Sequence, residues 1–158
     1  MSDLKRQLQA FRHDPSAGIQ GDCFRTAVAC VLGIDRESVP HSHDDLSGIE
    51  AMTFIDAWLH PQGLRRIHMP VLADTLDEVA RNIYPRGGGL PVIVTGRGPR
   101  DVNHVVVVHG VDDIWCPTLG SVSPEIALVG GALPDRYFWA EWIVRDPSGA
   151  LPPPPSGQ

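Results

Sequence analysis

Three residues have types that could do chemistry together: a cysteine, the acid before it, and a distant histidine. In Gly18-Ile19-Gln20-Gly21-Asp22-Cys23-Phe24-Arg25-Thr26-Ala27 a glycine-bearing loop runs into an acidic residue, a cysteine and then helix-compatible residues. Asp22 has the type of an N-cap, accepting hydrogen bonds from the first free N–H groups of a helix that begins at Cys23. That places the Cys23 sulfur at the positive end of the helix dipole, where a thiolate is favoured over a thiol. Only the thiolate attacks, so this is a setting for a nucleophile. A free cysteine also serves as a small apolar packing residue, and the Asp22 charge partly offsets the dipole. The nucleophile reading therefore needs a base.

Asn103-His104-Val105-Val106-Val107-Val108-His109 supplies two histidines on one extended segment. Residues 104, 106 and 108 share a face and His109 lies on the other. His104 stands at the strand entrance after a polar loop, where its imidazole can project from the sheet edge toward a helix start. His109, beside Gly110, reads as a turn or surface residue. A third cluster, His41-Ser42-His43-Asp44-Asp45, has histidines two apart with carboxylates beyond. It lacks a second ligand pair and reads as a solvated loop, so no metal is expected. Gly87-Gly88-Gly89 precedes a strand instead of a helix, which excludes a phosphate-cradling loop, and no cofactor is expected.

The elements that must position these groups follow from periodicity and breakers. Residues 1–12 predict a short amphipathic helix with Leu4, Leu8 and Phe11 on one face, and His13 to Gly18 a loop. The Cys23 helix runs to Leu32 and stops at Gly33. Ser47-Gly48-Ile49-Glu50 is a capping box opening a second helix that Pro61 and Gly63 end. Leu64–Met69 reads as a strand closed by Pro70, and Ala73–Tyr84 as a third helix. From there the period becomes extended: Leu90–Thr95, Val102–His109, Val111–Cys116 and Tyr137–Val144 are strands, with Pro117–Pro134 a loop. Helices first and strands afterwards predict an α+β domain over residues 1–150, its N-terminal helices packed on a C-terminal antiparallel sheet. Residues 151–158 read as a proline-rich mobile tail.

The 158 residues suffice for one domain with a real core, and 42% apolar with 20% charged residues is ordinary for a globular protein. A formal net charge of −6 argues against nucleic acid as the main partner. No apolar run reaches membrane-spanning length, and the first residues lack an apolar signal core. Three cysteines without a framework spacing fit a reducing, cytoplasmic setting.

The order of a helix-start cysteine and a later strand-start histidine is that of papain-like cysteine hydrolases. In detail, Gly21-Asp22-Cys23-Phe24-Arg25-Thr26-Ala27, Val31-Leu32-Gly33-Ile34 and Val39-Pro40-His41 resemble the N-terminal signature of stand-alone bacterial and phage proteins of the C39-like peptidase type. Asn103-His104-Val105-Val106-Val107 and the closing Tyr137–Val144 strand are similar too, so the resemblance spans roughly residues 13–145. It implies a papain-like fold with Cys23 as nucleophile, His104 as general base, a thioester intermediate and a peptide or protein substrate. It also implies an oxyanion donor, for which Gln20 is the available side-chain amide, three residues before Cys23, and His13 a weaker substitute. Relatives of this type carry an Asp-Pro pair about a dozen residues after the histidine to orient its ring. Here that pair is Cys116-Pro117, and cysteine is a poor acceptor. Asp113 or Asp112 would then orient His104, or a backbone carbonyl would; Asp146-Pro147 is a further candidate by motif. Two functions stand open, a hydrolase of peptide, isopeptide or other amide bonds and a catalytically weakened binding module on the same fold. A weaker third is a metal-binding protein using His41, His43 and Asp44.

Overall fold

The computed structural model describes residues 3–41 and 48–148. Ser47 of the expected capping box, His43, Asp44 and the proline-rich tail lie outside the described residues. Four α-helices are found among these, α1 (Cys23–Leu32), α2 (Gly48–Leu59), α3 (Leu76–Ile83) and the single turn α4 (Pro124–Ala127). The strands are β1 (Leu64–Val71), β2 (Val92–Arg97), β3 (Asn103–Gly110), β4 (Asp113–Cys116), β5 (Gly120–Ser121) and β6 (Phe138–Arg145). They form one six-stranded sheet in the order β1-β6-β2-β3-β4-β5. Every neighbouring pair is antiparallel. The α+β class and the antiparallel sheet are as the sequence implies.

The helices divide between the two faces of that sheet. α1 and α2 pack with Ile93, Val105, Val107 and Ile143 on one side. α3 and α4 pack with Val92, Val94, Val106, Val108, Phe138 and Ala140 on the other. The four consecutive valines of β3 are therefore all buried, alternating between two cores. Full burial of each such side chain is worth roughly 1.5–3 kcal/mol, so β3 is the hydrophobic spine of the domain. Pro70 does not close β1: it pairs opposite Trp139 at the sheet edge, where a missing N–H faces outward at no cost. The stretch 117–134, expected as loop, contains β5 and α4.

The expected N-terminal helix is absent; residues 3–9 have no regular secondary structure. Their backbone groups are spent on other elements instead. Lys5 N donates to Cys30 O (3.0 Å) and Gln9 N to Pro117 O (2.8 Å). Trp115 Nε1 donates to Gln7 O (2.9 Å), and the Gln7 amide bonds Ile34 O (2.7 Å) and Arg36 N (2.9 Å). A helix this short is marginal alone, and tertiary partners outbid its internal hydrogen bonds. The segment thus becomes a strap joining the end of α1 to the loop after β4. Arg66 is likewise built in: it donates to Asp56 (3.0 Å) and to the buried Glu141 (2.9 Å), tying α2 to β1 and β6. Burial pushes the Glu141 carboxyl above its ordinary value, against the pull of Arg66.

Candidate active site

Gly33 ends α1 in the left-handed conformation at φ 69°, with Ile34 N bonded back to Ala29 O (3.1 Å). The other end of the helix carries Cys23. Asp22 occupies the N-cap position, but its carboxylate makes no capping bond. It is 1% exposed and turns toward the N-terminal strap, accepting from Phe11 N (2.8 Å) and Ala10 N (3.3 Å). Arg25 Nη1 adds an ion pair at 3.4 Å. The Asp22 carbonyl accepts the first intrahelical bond, from Thr26 N (2.9 Å), and a second bond from Thr26 Oγ1 (2.8 Å). The first N–H groups of α1 receive no hydrogen bond from the Asp22 side chain. The strap closes over this turn so tightly that a Cβ on Gly21 would lie 2.8 Å from His13 N.

The Cys23 sulfur is approached by the backbone N–H groups of Val105 and Phe24, both of which favour a thiolate. Burial outweighs them and pushes the thiol up to about 11, with Asp22 and Cys116 adding smaller contributions in the same direction. The expected low-pKa thiolate is therefore corrected: desolvation beats the helix terminus, and the resting group is a neutral thiol. The side chain opens on a cleft of about 150 Å³ with Gln20, Phe24, His41 and Phe54 in its wall. His41 stacks on Phe11 at 5.7 Å between ring centroids. Gln20 thus shares a cleft with Cys23.

His104 enters β3 on the α3 side of the sheet, directly before Val105. Its Nε2 lies 3.3 Å from Cys116 Sγ. Burial is the first cause that lowers the imidazole to about 4, followed by the charges of Arg100 and Arg12. At neutral pH the ring is uncharged. No hydrogen bond joins His104 to Cys23 among the described residues, and His104 lines a second cleft of about 190 Å³ with Cys116, Arg12 and Arg100.

The orienting residue is where the structure decides between alternatives. Asp113 does not reach His104: its carboxylate pairs with Arg6 and with His109 Nδ1 at 3.4 Å. The reason is register. Asp113 sits opposite Gly110 at the far end of β3, six residues from His104, or about 20 Å of strand. Asp112 lies in the exposed turn between them and acts electrostatically on Arg81. Asp146 accepts from Ser148 N and Oγ beyond the end of β6. Cys116, at the end of β4, is the residue that meets the His104 ring, through its sulfur. Arg12 and Arg100, beside the imidazole, are the site residues sequence reading missed. Neither belongs to a motif, and both reach the site through loop folding.

Among the described residues no group of three metal-ligating side chains is found, and no helix is long and apolar enough to cross a membrane. Comparison of the chain with family models, with curated proteins and with solved structures returned no match.

Proposed function

We propose that the chain is a papain-like cysteine hydrolase of the C39-like type, acting on a peptide, isopeptide or other amide bond through a thioester. The observation that supports this best is adjacency at the head of β3, where Cys23 stands against the residue that follows His104. The Val105 N–H approaches the Cys23 sulfur, and the preceding residue, His104, has its Nε2 3.3 Å from Cys116. With Nε2 turned to Cys116, Nδ1 is the nitrogen left for proton transfer.

Both groups rest neutral, so His104 acts as a general base in the attacking step instead of standing in a preformed ion pair. Nδ1 takes the thiol proton as the sulfur bonds to the carbonyl carbon, and the carbonyl π pair moves to oxygen. The N–H of Cys23 and the Gln20 amide are the donors for that oxyanion. Collapse expels the amine, which leaves with the proton from Nδ1, and a thioester remains. Water then attacks, giving its proton to Nδ1, and the thiol leaves reprotonated. Throughout, Nε2–H donates to the Cys116 sulfur, a weak acceptor that holds the ring without stabilising its charge.

That weakness favours a second reading, a binding module whose hydrolytic site is impaired. A fluorogenic peptide library at neutral pH separates the two. Cleavage by the wild type that Cys23→Ala abolishes supports the hydrolase. Cleavage that survives in Cys23→Ala overturns it, and no cleavage together with a partner retained equally by Cys23→Ala favours the binding module.

A further inference from the structure

We infer that the cleft beside His104 recognises a carboxylate on the substrate, held by Arg12 and Arg100. This rests on the hydrolase reading and adds to it a substrate class: an amide whose acyl or amine side carries an acidic group.

The argument begins with charge. The chain as a whole is acidic, at −6, yet the wall of this cleft carries two arginines and no carboxylate. Elsewhere the walls of clefts that carry arginines also carry carboxylates. Arg25 pairs with Asp22, and Arg97, in the larger cleft of about 710 Å³, pairs with Asp101 at 2.6 Å and has Asp74 in the same wall. Arg12 and Arg100 have no ion pair among the described residues. Arg100 donates only to the carbonyl of His13, at 3.4 Å from both Nη atoms. Asp14 acts on it electrostatically, and its carboxylate is already bonded to Ser16 and Ala17.

The two guanidinium groups come from different segments, the strap before Cys23 and the loop between β2 and β3. Their convergence is a product of the fold, not of local sequence. Val102, Leu119 and Ala127 add apolar surface to the wall of the same cleft. A fork-shaped cation in a cleft with apolar surface suits a planar carboxylate on a short aliphatic stem, as in an aspartyl or glutamyl side chain or a free chain end. Burial depresses the His104 imidazole and the same pair adds to it, so a bound carboxylate would offset that positive field and make the base stronger when substrate arrives.

The test uses N-acetyl-glutamate and the carboxylate-free N-acetyl-glutamine amide, with inorganic phosphate as a third probe, and follows the His104 ring proton signals by NMR in the full chain. The expected result is a saturable shift with N-acetyl-glutamate and a raised His104 pKa, with at least tenfold weaker binding of N-acetyl-glutamine amide. Arg12→Gln and Arg100→Gln should each weaken N-acetyl-glutamate binding by roughly tenfold or more, the usual worth of a charge-assisted bond. Arg100→Lys should restore part of it. Equal binding of the two amino acids, no binding of either, or indifference to both substitutions would overturn the inference. So would a His104 shift produced by phosphate and not by N-acetyl-glutamate. Repeating the titration in Cys23→Ala keeps the result independent of turnover: loss of chemistry there leaves the carboxylate site standing, whereas loss of binding removes it.

Discussion

The neutral state of Cys23 has a direct kinetic consequence. Burial moves its thiol from 9.0 to about 11. Two units leave roughly a hundredfold less thiolate at neutral pH, since each unit is a factor of ten in the protonation equilibrium. A more basic thiolate is also a better nucleophile, and with a Brønsted slope near 0.5 this returns about a factor of ten. Alkylation runs through the preformed thiolate, so Cys23 in the folded chain should react with iodoacetamide roughly tenfold more slowly than in urea at pH 7. The assay is mass-spectrometric quantification of the Cys23 peptide after timed labelling between pH 6 and 11. The expected profile climbs with pH without levelling until the region of about 11 and is unmoved by His104→Ala. A rate plateau below pH 8, lost in His104→Ala, would mean a standing thiolate–imidazolium pair. The argument that desolvation outweighs the helix terminus and the Val105 N–H would then be wrong.

Three further outcomes follow from the same geometry. Cys116→Asp gives His104 Nε2 a carboxylate acceptor, so the imidazole pKa should rise by one unit or more, read by NMR, and an unmoved value would refute the Nε2–Cys116 contact. Asp22→Ala removes a buried carboxylate that accepts from two strap N–H groups and pairs with Arg25, and should cost about 2–4 kcal/mol in urea denaturation. The His104 imidazole is lowered from 6.5 to about 4 in the fold, so between those values the unfolded chain binds the extra proton and stability rises with pH. Relative to His104→Gln, the wild type should lose at most about 3 kcal/mol as pH falls from 6.5 to 4, and an equal pH dependence of the two urea midpoints would refute the shift.

Much of the fold is written locally. The α1 boundaries are fixed by Cys23 and Gly33, and the valine-rich strands by their composition. What periodicity concealed was long-range. Four valines in a row without alternation signal a strand buried on both faces, and that placed α3 opposite α1 instead of beside it. The N-terminal segment has a helical spacing of apolar residues, but its hydrogen bonds to Cys30, Ile34 and Pro117 could be found only in three dimensions. The site divides in the same way. Cys23 and His104 stand out by type and context, and Cys116 by its alignment with an Asp-Pro pair. Asp113 was a sound candidate by charge, and the β3–β4 register removes it from His104. Asp22 is helix-capping in sequence, yet two strap N–H groups claim its carboxylate, which makes no bond to the helix N–H groups.

The central claim is that Cys23 is the nucleophile and His104 its base, and acyl transfer tests it without knowledge of the natural substrate. The chain is treated with p-nitrophenyl acetate at pH 7.5, the released nitrophenol is followed, and the acetyl group is located by mass spectrometry. The account predicts an acetyl thioester on Cys23 and, because general-base catalysis is worth roughly 10²–10⁴, at least a hundredfold slower acylation in His104→Ala. An acetyl group found elsewhere, or an unchanged rate without His104, would contradict it.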